Sequence, residues 1–268
     1  MEINIDLNAL TDLARLAGRE IMEVYASDHQ VSLKADCSPI TLADQRSHEV
    51  IVAGLMKKFK GIPIVSEEGE IPDFALRRGW DYFWLIDPLD GTKEFINQTN
   101  EFTVNISLIH KDKPIVGIVY APALDLMYYA QEGHGAFKEA KADDGTLLLR
   151  QLKKAVPVCC DRLKVVTSRS HLNCKTKDFV QVLGEKFKAI DFRMIGSSLK
   201  ICYVADQLAD VYPRLGPTME WDTAAAHAIC REVGVDFYAL RNNSRQPFLY
   251  NKESLLNDSF VVERPGVA

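Results

Sequence analysis

The chain contains no run of about 18 consecutive apolar residues, the length that a membrane-spanning helix requires. Residues 1–6 also lack the basic and apolar regions of a secretory signal. We therefore expect a cytoplasmic protein without a membrane span.

Cysteine spacings typical of metal sites are missing too. The six cysteines contain no Cys-x-x-Cys pair and no zinc-like spacing: Cys37, Cys159, Cys160, Cys174, Cys202 and Cys230. In a chain without a secretory signal, we expect all six to be reduced.

An excess of positive charge is absent as well. The sequence has 32 Lys and Arg residues against 37 Asp and Glu residues, a net charge of -5. Without a basic stripe to cover phosphates over a long footprint, nucleic acid is excluded as a partner. A small polyanionic substrate is compatible with this charge if bound metal ions reverse the local sign.

The 268 residues, 47% of them hydrophobic, suffice for one large domain or two closely packed ones.

Hydrophobic periodicity divides the chain into elements. Residues 8–26 have helical spacing, and a second helix is predicted from an N-cap at Thr41 to about Phe59, with Asp44 in a capping-box position. Short apolar runs at 62–66 and 83–86 predict strands, the second of which ends in an acidic turn. Alternating residues between 103 and 137 predict an antiparallel meander.

The charged segment 138–160 predicts a boundary between an N-terminal α+β half, residues 1–155, and a smaller α/β half, residues 156–268. In the second half, predicted strands alternate with predicted helices. The strands are 163–167, 192–195, 211–213 and 260–262, and the helices are 177–183, 198–207 and 223–233.

Carboxylates lie at the ends of three of these elements. The strand at 83–86 runs into the hexapeptide 87–92 (DPLDGT), Glu67 follows the strand at 62–66, and Asp222 precedes a helix. Taken singly, each has an ordinary explanation: turn formers, a solvated turn or a helix N-cap. Taken together, acids at three strand or helix ends favour a site for hard cations with oxygen ligands.

These segments, in this order, resemble the motifs of the lithium-sensitive, magnesium-dependent phosphatase superfamily, which includes inositol monophosphatases and fructose bisphosphatases. Three longer stretches resemble its 3'(2'),5'-bisphosphate nucleotidase branch: 38–44 (SPITLAD), 87–95 (DPLDGTKEF) and 212–220 (YPRLGPTME). The resemblance extends from about residue 8 to 262. It implies a layered α-β-α-β-α sandwich of the inositol monophosphatase and fructose bisphosphatase type.

The resemblance also implies a metal site that holds two or three Mg²⁺ ions. Glu67, Asp87 and the Leu89 carbonyl are expected to bind one ion. Asp87, Asp90 and Asp222 are expected to bind a second, and where a third ion binds, its expected place is near Glu67. Most of these ligands lie in the N-terminal half, whereas Asp222 and the nucleotide-binding loops lie in the C-terminal half.

By the same resemblance, Asp44 and Thr92 form the catalytic pair, in which the hydroxyl relays a proton from the attacking water to the carboxylate. Both residues also fit plain helix-capping roles. The implied reaction is hydrolysis of the 3'-phosphate of 3'-phosphoadenosine 5'-phosphate to AMP and phosphate by a metal-activated water. The residues expected to contact the substrate are Glu67, Leu89, Asp90, Gly91, Thr92, Ser168, His171, Ser197, Lys200 and Asp222.

Lys200 and Arg169 are candidates for binding the 5'-phosphate of the nucleotide. Lys200 also fits a solvated helix residue, and His171 fits a surface histidine.

Two other functions stay open. One is an inositol or sugar phosphatase of the same superfamily, and the other is a non-catalytic divalent-metal-binding protein. The sequence leaves open a monomer or a homodimer, and the resemblance allows peripheral attachment to the cytoplasmic face of the inner membrane.

Overall fold

The computed structural model of the chain describes residues 5–26, 31–33, 39–142, 144–168, 174–242 and 244–267. Seven helices lie in this part of the chain: α1 Leu7–Tyr25, α2 Leu42–Lys58, α3 Phe74–Arg77, α4 Thr92–Ile96, α5 Cys174–Gly184, α6 Leu199–Ala205 and α7 Ala224–Val233. Two short 3₁₀ turns, Pro122–Leu124 and Glu220–Asp222, accompany them.

Fifteen strands are described, and they form three sheets. The first nine are β1 Val31–Leu33, β2 Pro39–Thr41, β3 Ile64–Ser66, β4 Tyr82–Asp90, β5 Thr103–His110, β6 Lys113–Ala121, β7 Leu126–Gln131, β8 Gly135–Lys141 and β9 Leu147–Gln151. The other six are β10 Arg162–Thr167, β11 Ala189–Met194, β12 Val211–Arg214, β13 Asp236–Arg241, β14 Ser244–Pro247 and β15 Phe260–Glu263.

The larger sheet has seven strands in sequence order, from β3 to β9. Strands β3 and β4 are parallel, and every later pair is antiparallel. The predicted meander is therefore confirmed. The meander also continues through β9, which was not predicted because the segment 138–160 is charged and lacks a clear strand pattern.

The second sheet has six strands in the order β11-β10-β12-β15-β13-β14. Only β11, β10 and β12 are parallel to one another. The hairpin of β13 and β14 was not predicted, because β14, Ser-Arg-Gln-Pro, is exposed throughout and has no apolar alternation. The remaining predicted strands and helices of this half are confirmed within a few residues at each end.

Alternating side chains of the buried strands build separate layers. Trp84 and Ile86 face the core beneath α1 and α2, whereas Phe83 and Leu85 face a second core that contains α6 and α7. The second sheet covers α6 and α7, and its far face packs against α5. The order is thus helix, sheet, helix, sheet, helix, and the predicted layered α-β-α-β-α sandwich is confirmed.

The central helix layer packs closely on the larger sheet. A Cβ atom added at Gly117 of β6 would lie 2.0 Å from the Ala225 carbonyl oxygen of α7, so the contact requires glycine. The two sheets separate along the chain between β9 and β10, yet α7 joins them in one core. The division at residue 155 stays a prediction.

The acidic hexapeptide differs from its predicted form. Strand β4 does not end at Ile86 but continues to Asp90, with a register shift between Asp87 and Asp90 opposite β5. Pro88 lacks the N–H group that a regular ladder uses, so the strand is irregular at this point without ending.

None of the described helices combines the length and the apolar character needed to cross a bilayer.

Acid should destabilise this fold through His227 of α7. The imidazole is buried, stacks on Phe237 with ring centroids 4.2 Å apart, and its Nδ1 lies 3.0 Å from the Tyr250 hydroxyl. Burial, with a smaller effect of the Arg231 charge, lowers the pKa of His227 to about 3. The unfolded chain therefore binds one more proton than the folded chain between about pH 6.5 and 3, so stability falls as the pH falls through this range.

We expect the free energy of unfolding of the wild type to drop by up to about 1.4 kcal/mol per pH unit below pH 6.5 through this residue alone. Urea denaturation at pH 7, 6 and 5 measures it. His227→Gln should flatten the slope, while His110→Gln, on the partly exposed end of β5, should not. Equal slopes for the wild type and His227→Gln would contradict the assignment.

Candidate metal centre and substrate cavity

Three carboxylates from separate elements converge at the end of the larger sheet. Oxygens of Glu67, Asp87 and Asp222 all lie within 4.8 Å of one another. The parallel pairing of β3 and β4 aligns Ser66 with Ile86, so Glu67 and Asp87, the next residues, lie side by side. A hydrogen bond of 3.2 Å from the Glu67 N–H to the Ile86 carbonyl extends that pairing. Asp222 reaches them from the 3₁₀ turn that precedes α7.

Asp87 is the buried member of this group. Its Oδ1 accepts a hydrogen bond of 3.1 Å from the Leu89 N–H, while its Oδ2 is enclosed and has no donor among the described residues. Burial raises the pKa of Asp87 well above its usual range, and the charges of Glu67, Asp90, Asp222 and Asp44 raise it further. A buried oxygen without a donor, among four other acids, fits a bound cation.

Asp222 has a related environment but one more support. Its Oδ2 accepts a hydrogen bond of 2.9 Å from the Met219 N–H. The pKa of Asp222 is raised, first by burial and then by the charges of Asp90 and Glu67. The clustering of unneutralised acids is costly for the fold by itself, and divalent cations would offset that cost.

Asp90 is held by the turn before α6. Its Oδ2 accepts hydrogen bonds from the Ser197 hydroxyl at 2.5 Å and from the Ser198 N–H at 2.6 Å. Both serine hydroxyls also bond Thr103 of β5, at 2.5 and 2.8 Å. Ser197, expected to contact the substrate, thus supports Asp90 as well. Its φ of 54°, unusual for a non-glycine residue, marks a constrained turn.

The predicted catalytic pair lies on two helix starts. Asp44 is buried in the first turn of α2, close enough for its charge to raise the pKa of Asp87. Thr92 is the first residue of α4, after Gly91, whose φ is 92°. This backbone conformation favours glycine, and a Cβ at Gly91 would lie 3.3 Å from the Phe102 Cα, which leaves little room for a side chain.

Helix α2 contributes two further residues that sequence reasoning missed. The buried Ser47 hydroxyl donates to the Pro88 carbonyl at 2.8 Å, and His48 Nδ1 lies 2.8 Å from the Ser66 hydroxyl. Ser47 and His48 follow Asp44 by three and four positions, so all three share one helix face. One helix thereby connects Asp44 to both acidic segments. The only signal in the sequence was this i, i+3, i+4 spacing.

A cavity of about 140 Å³ adjoins the carboxylates. Its lining comes from β4, α4, the start of α6, β12 and the Asp222 turn: Asp90, Lys93, Glu94, Ser168, Ser197, Ser198, Lys200, Ile201, Tyr212, Arg214, Thr218, Asp222, Thr223 and Phe260. It brings together Asp90, Ser168, Ser197, Lys200 and Asp222, all expected to bind substrate. Lys200 is buried, not a solvated helix residue. Arg214 was not predicted, and His171 and Arg169 lie outside the described residues.

Known proteins are similar to this chain over nearly its whole length. The model of the inositol monophosphatase family matches residues 6–265. The 3'(2'),5'-bisphosphate nucleotidase CysQ of Shigella flexneri is 44% identical over 259 residues, 96% of this chain and 98% of that protein. The protein of the same name from Escherichia coli strain K12 is 43% identical with the same coverage.

A solved structure agrees with the sequence matches. The crystal structure of CysQ from Bacteroides thetaiotaomicron, a bacterial member of the inositol monophosphatase family, superposes with a TM-score of 0.83 at 41% identity. The match covers 98% of this chain and 99% of that one. The order of layers described above is therefore shared with a protein of known structure.

Proposed function

The chain belongs to the inositol monophosphatase family, and on that premise we propose that it is a 3'(2'),5'-bisphosphate nucleotidase that converts 3'-phosphoadenosine 5'-phosphate to AMP and phosphate. The observation that carries the proposal is the cavity, where a cluster of acids faces the buried ammonium of Lys200. Acids with bound cations suit the phosphate that is cleaved, and a separate cation suits a second phosphate. The full-length similarity to bisphosphate nucleotidases supports the same substrate.

The metal ligands follow from the residues that converge. Glu67, Asp87 and the Leu89 carbonyl would hold one Mg²⁺ ion, Asp87, Asp90 and Asp222 a second, and a third would lie near Glu67. The partnerless Oδ2 of Asp87 supports the shared position of this residue. When bound, Mg²⁺ supplies positive charge that neutralises the phosphate dianion and makes water more acidic.

Asp44 and Thr92 would manage the proton of the attacking water. The Thr92 hydroxyl accepts a hydrogen bond from the water and donates its own proton toward the Asp44 carboxylate, which ends the step protonated. As the water oxygen bonds to phosphorus, the bond from phosphorus to the 3'-oxygen of the ribose breaks, and the leaving 3'-oxygen takes a proton from solvent water to give AMP. The burial of Asp44 at the start of α2 supports this role, because a carboxylate shielded from bulk water is a stronger base.

The remaining predicted residues would orient the substrate. The backbone N–H groups of Gly91 and Thr92 face the transferred phosphate, and Glu67, Leu89, Asp90 and Asp222 contact it beside the metals. Ser168, His171, Ser197 and Lys200 would contact the nucleotide. For Ser168, Ser197 and Lys200, this is supported by their position in one cavity with Asp90.

A phosphate-release panel tests the proposal, using 3'-phosphoadenosine 5'-phosphate, inositol 1-phosphate and fructose 1,6-bisphosphate with Mg²⁺ and with a chelator. We expect kcat/KM for the nucleotide to exceed that for inositol 1-phosphate by at least about a hundredfold, because inositol 1-phosphate leaves Lys200 without an anion. Chelation should stop release from every substrate. Comparable or reversed rates for the two substrates would contradict the nucleotidase and indicate an inositol phosphatase.

A further inference from the structure

The 3₁₀ turn that carries Asp222 begins with a buried acid that the proposed reaction does not use. This acid, Glu220, is 0% exposed. Its Oε1 accepts hydrogen bonds from the N–H and from the ammonium of Lys252, at 3.0 and 2.5 Å, and its Oε2 accepts one of 2.7 Å from the Asn251 N–H. The carboxylate therefore joins the turn to the loop 249–257, which lies between β14 and β15.

Two further contacts fix the backbone of the same turn to this loop. The Glu220 N–H donates to the Leu255 carbonyl at 2.9 Å, and the Asn257 side-chain amide donates to the Met219 carbonyl at 2.6 Å. Asp222 follows Glu220 by two positions, and its own N–H donates to that Met219 carbonyl at 3.2 Å. A movement of the turn relative to the loop would therefore displace the Asp222 carboxylate.

Arg77 of α3 fixes the loop in turn to the segment that follows Glu67. Its buried guanidinium donates to the Asn251 side-chain oxygen at 2.8 Å and to the Lys252 carbonyl at 3.2 Å. The Asn251 NH₂ group donates to the Arg77 carbonyl at 2.8 Å. Since α3 follows Glu67 closely in the chain, these hydrogen bonds connect two segments that carry metal-binding acids, the one that contains Glu67 and the turn that contains Asp222.

Repulsion among the acids of the metal centre gives this network a task. Oxygens of Asp222, Glu67 and Asp87 lie within 4.8 Å of one another, and like charges at that distance repel unless cations lie between them. The contact of Glu220 with Lys252 is a buried, charge-assisted hydrogen bond, and the loss of one partner of such a pair is strongly unfavourable. The pair therefore opposes a displacement of Asp222 away from the other acids before a cation binds.

We propose that Glu220, Lys252 and Arg77 are positioning residues of the metal centre, and that their network holds Asp222 in the place where it binds Mg²⁺. The inference rests on the metal ligands of the proposed function and adds to them three residues that lie outside the cavity lining. Loss of the network should weaken metal binding more than turnover. At saturating Mg²⁺, the bound cations themselves attract Asp222 into place, so kcat should be retained.

The test is a calorimetric titration of Mg²⁺ into metal-free protein, without substrate, for the wild type and for Glu220→Gln. The glutamine has nearly the same shape but no charge, and its NH₂ group faces a donor of the loop. We expect the dissociation constant for Mg²⁺ to rise about 10- to 100-fold, whereas kcat for phosphate release at saturating Mg²⁺ should change less than about threefold. The matched control is Glu263→Gln, at a buried acid of β15 paired with Arg245, which should keep the wild-type affinity for Mg²⁺.

An unchanged Mg²⁺ affinity in Glu220→Gln would overturn the proposal. So would an equal loss of affinity in Glu263→Gln, since the effect would then reflect the general stability of the fold. If Glu220→Gln does not fold, Lys252→Met removes the cation on the other side of the contact. The same rise in the dissociation constant is expected there, and an unchanged value would again refute the network.

The titration also separates this inference from the proposed reaction, because it requires no substrate. A wild type that binds Mg²⁺ but does not hydrolyse 3'-phosphoadenosine 5'-phosphate would contradict the substrate alone, and the loss of affinity in Glu220→Gln would still support the network. A wild type that binds no Mg²⁺ would overturn both the proposed function and the positioning role.

Discussion

Asp87→Asn should abolish phosphate release and yet leave the metal-free protein at least as stable as the wild type. Asp87 is the expected bridge between two metal ions, and the loss of residues that merely orient metal ligands already costs about 10- to 100-fold in affinity or activity. Loss of a direct ligand should therefore cost at least about a hundredfold in kcat. The measurement is phosphate release at saturating Mg²⁺, beside a denaturation curve of each protein without metal.

The expected stability of Asp87→Asn without metal follows from the direction in which the pKa of Asp87 is shifted. Asp87 has a raised pKa in the folded state, so the folded chain holds a proton that the unfolded chain releases above about pH 4. The wild type therefore loses stability as the pH rises toward the folded pKa, by up to about 1.4 kcal/mol per pH unit. The asparagine does not titrate, so the stability advantage of the variant should grow with pH over this window.

Magnesium should reverse the order. A ligand that binds only the folded state stabilises it by about 2.7 kcal/mol at a hundred times its dissociation constant, and the variant should receive little of this. Asp112→Asn provides a control, since this partly exposed residue lies in the turn between β5 and β6, outside the acidic cluster. If Asp87→Asn were less stable than the wild type without metal and still gained stability from Mg²⁺, Asp87 would be a structural residue and not a metal ligand.

Local patterns in the sequence sufficed for most of the fold. The spacing of apolar residues predicted α1, and alternation predicted the meander, because both elements bury one regular face. Strand β14 was missed because its four residues are all exposed, so burial left no pattern in them. The end of β4 was misplaced because proline and glycine usually signal a turn, whereas pairing with β5 on both sides of Pro88 maintains the strand.

The residues of the candidate site were likewise predicted only in part. The acids were predicted because carboxylates at strand ends are conspicuous in the sequence. Their partners were not, since Ser47, His48 and Ser198 are ordinary residues whose roles depend on contacts between segments distant along the chain. Arg214 was missed for a similar reason: an arginine after a strand is normally exposed, and only the tertiary structure shows that its Nε is enclosed.

Asp90→Asn should also abolish turnover, but its effect on stability should differ from that of Asp87→Asn. The Oδ2 of Asp90 accepts hydrogen bonds from Ser197 and Ser198. The amide oxygen of an asparagine can keep the Ser198 N–H bond, which places the NH₂ group at the position of the carboxylate oxygen that would bind metal. We therefore expect a folded protein with kcat reduced at least about a hundredfold, because an NH₂ group cannot bind a cation.

Without metal, the free energy of unfolding of Asp90→Asn should lie within about 1 kcal/mol of the wild-type value. The substitution weakens a charge-assisted hydrogen bond, because a neutral acceptor replaces a charged one, but it also removes a like charge near Asp87 and Asp222. Ser198→Ala is the matched variant on the other side of the contact: it removes a hydroxyl that bonds Asn105 and keeps the N–H that Asp90 accepts, so its kcat should fall far less. If turnover survived in Asp90→Asn, the second metal position would need other ligands, and the link between Asp90 and α6 would be purely structural.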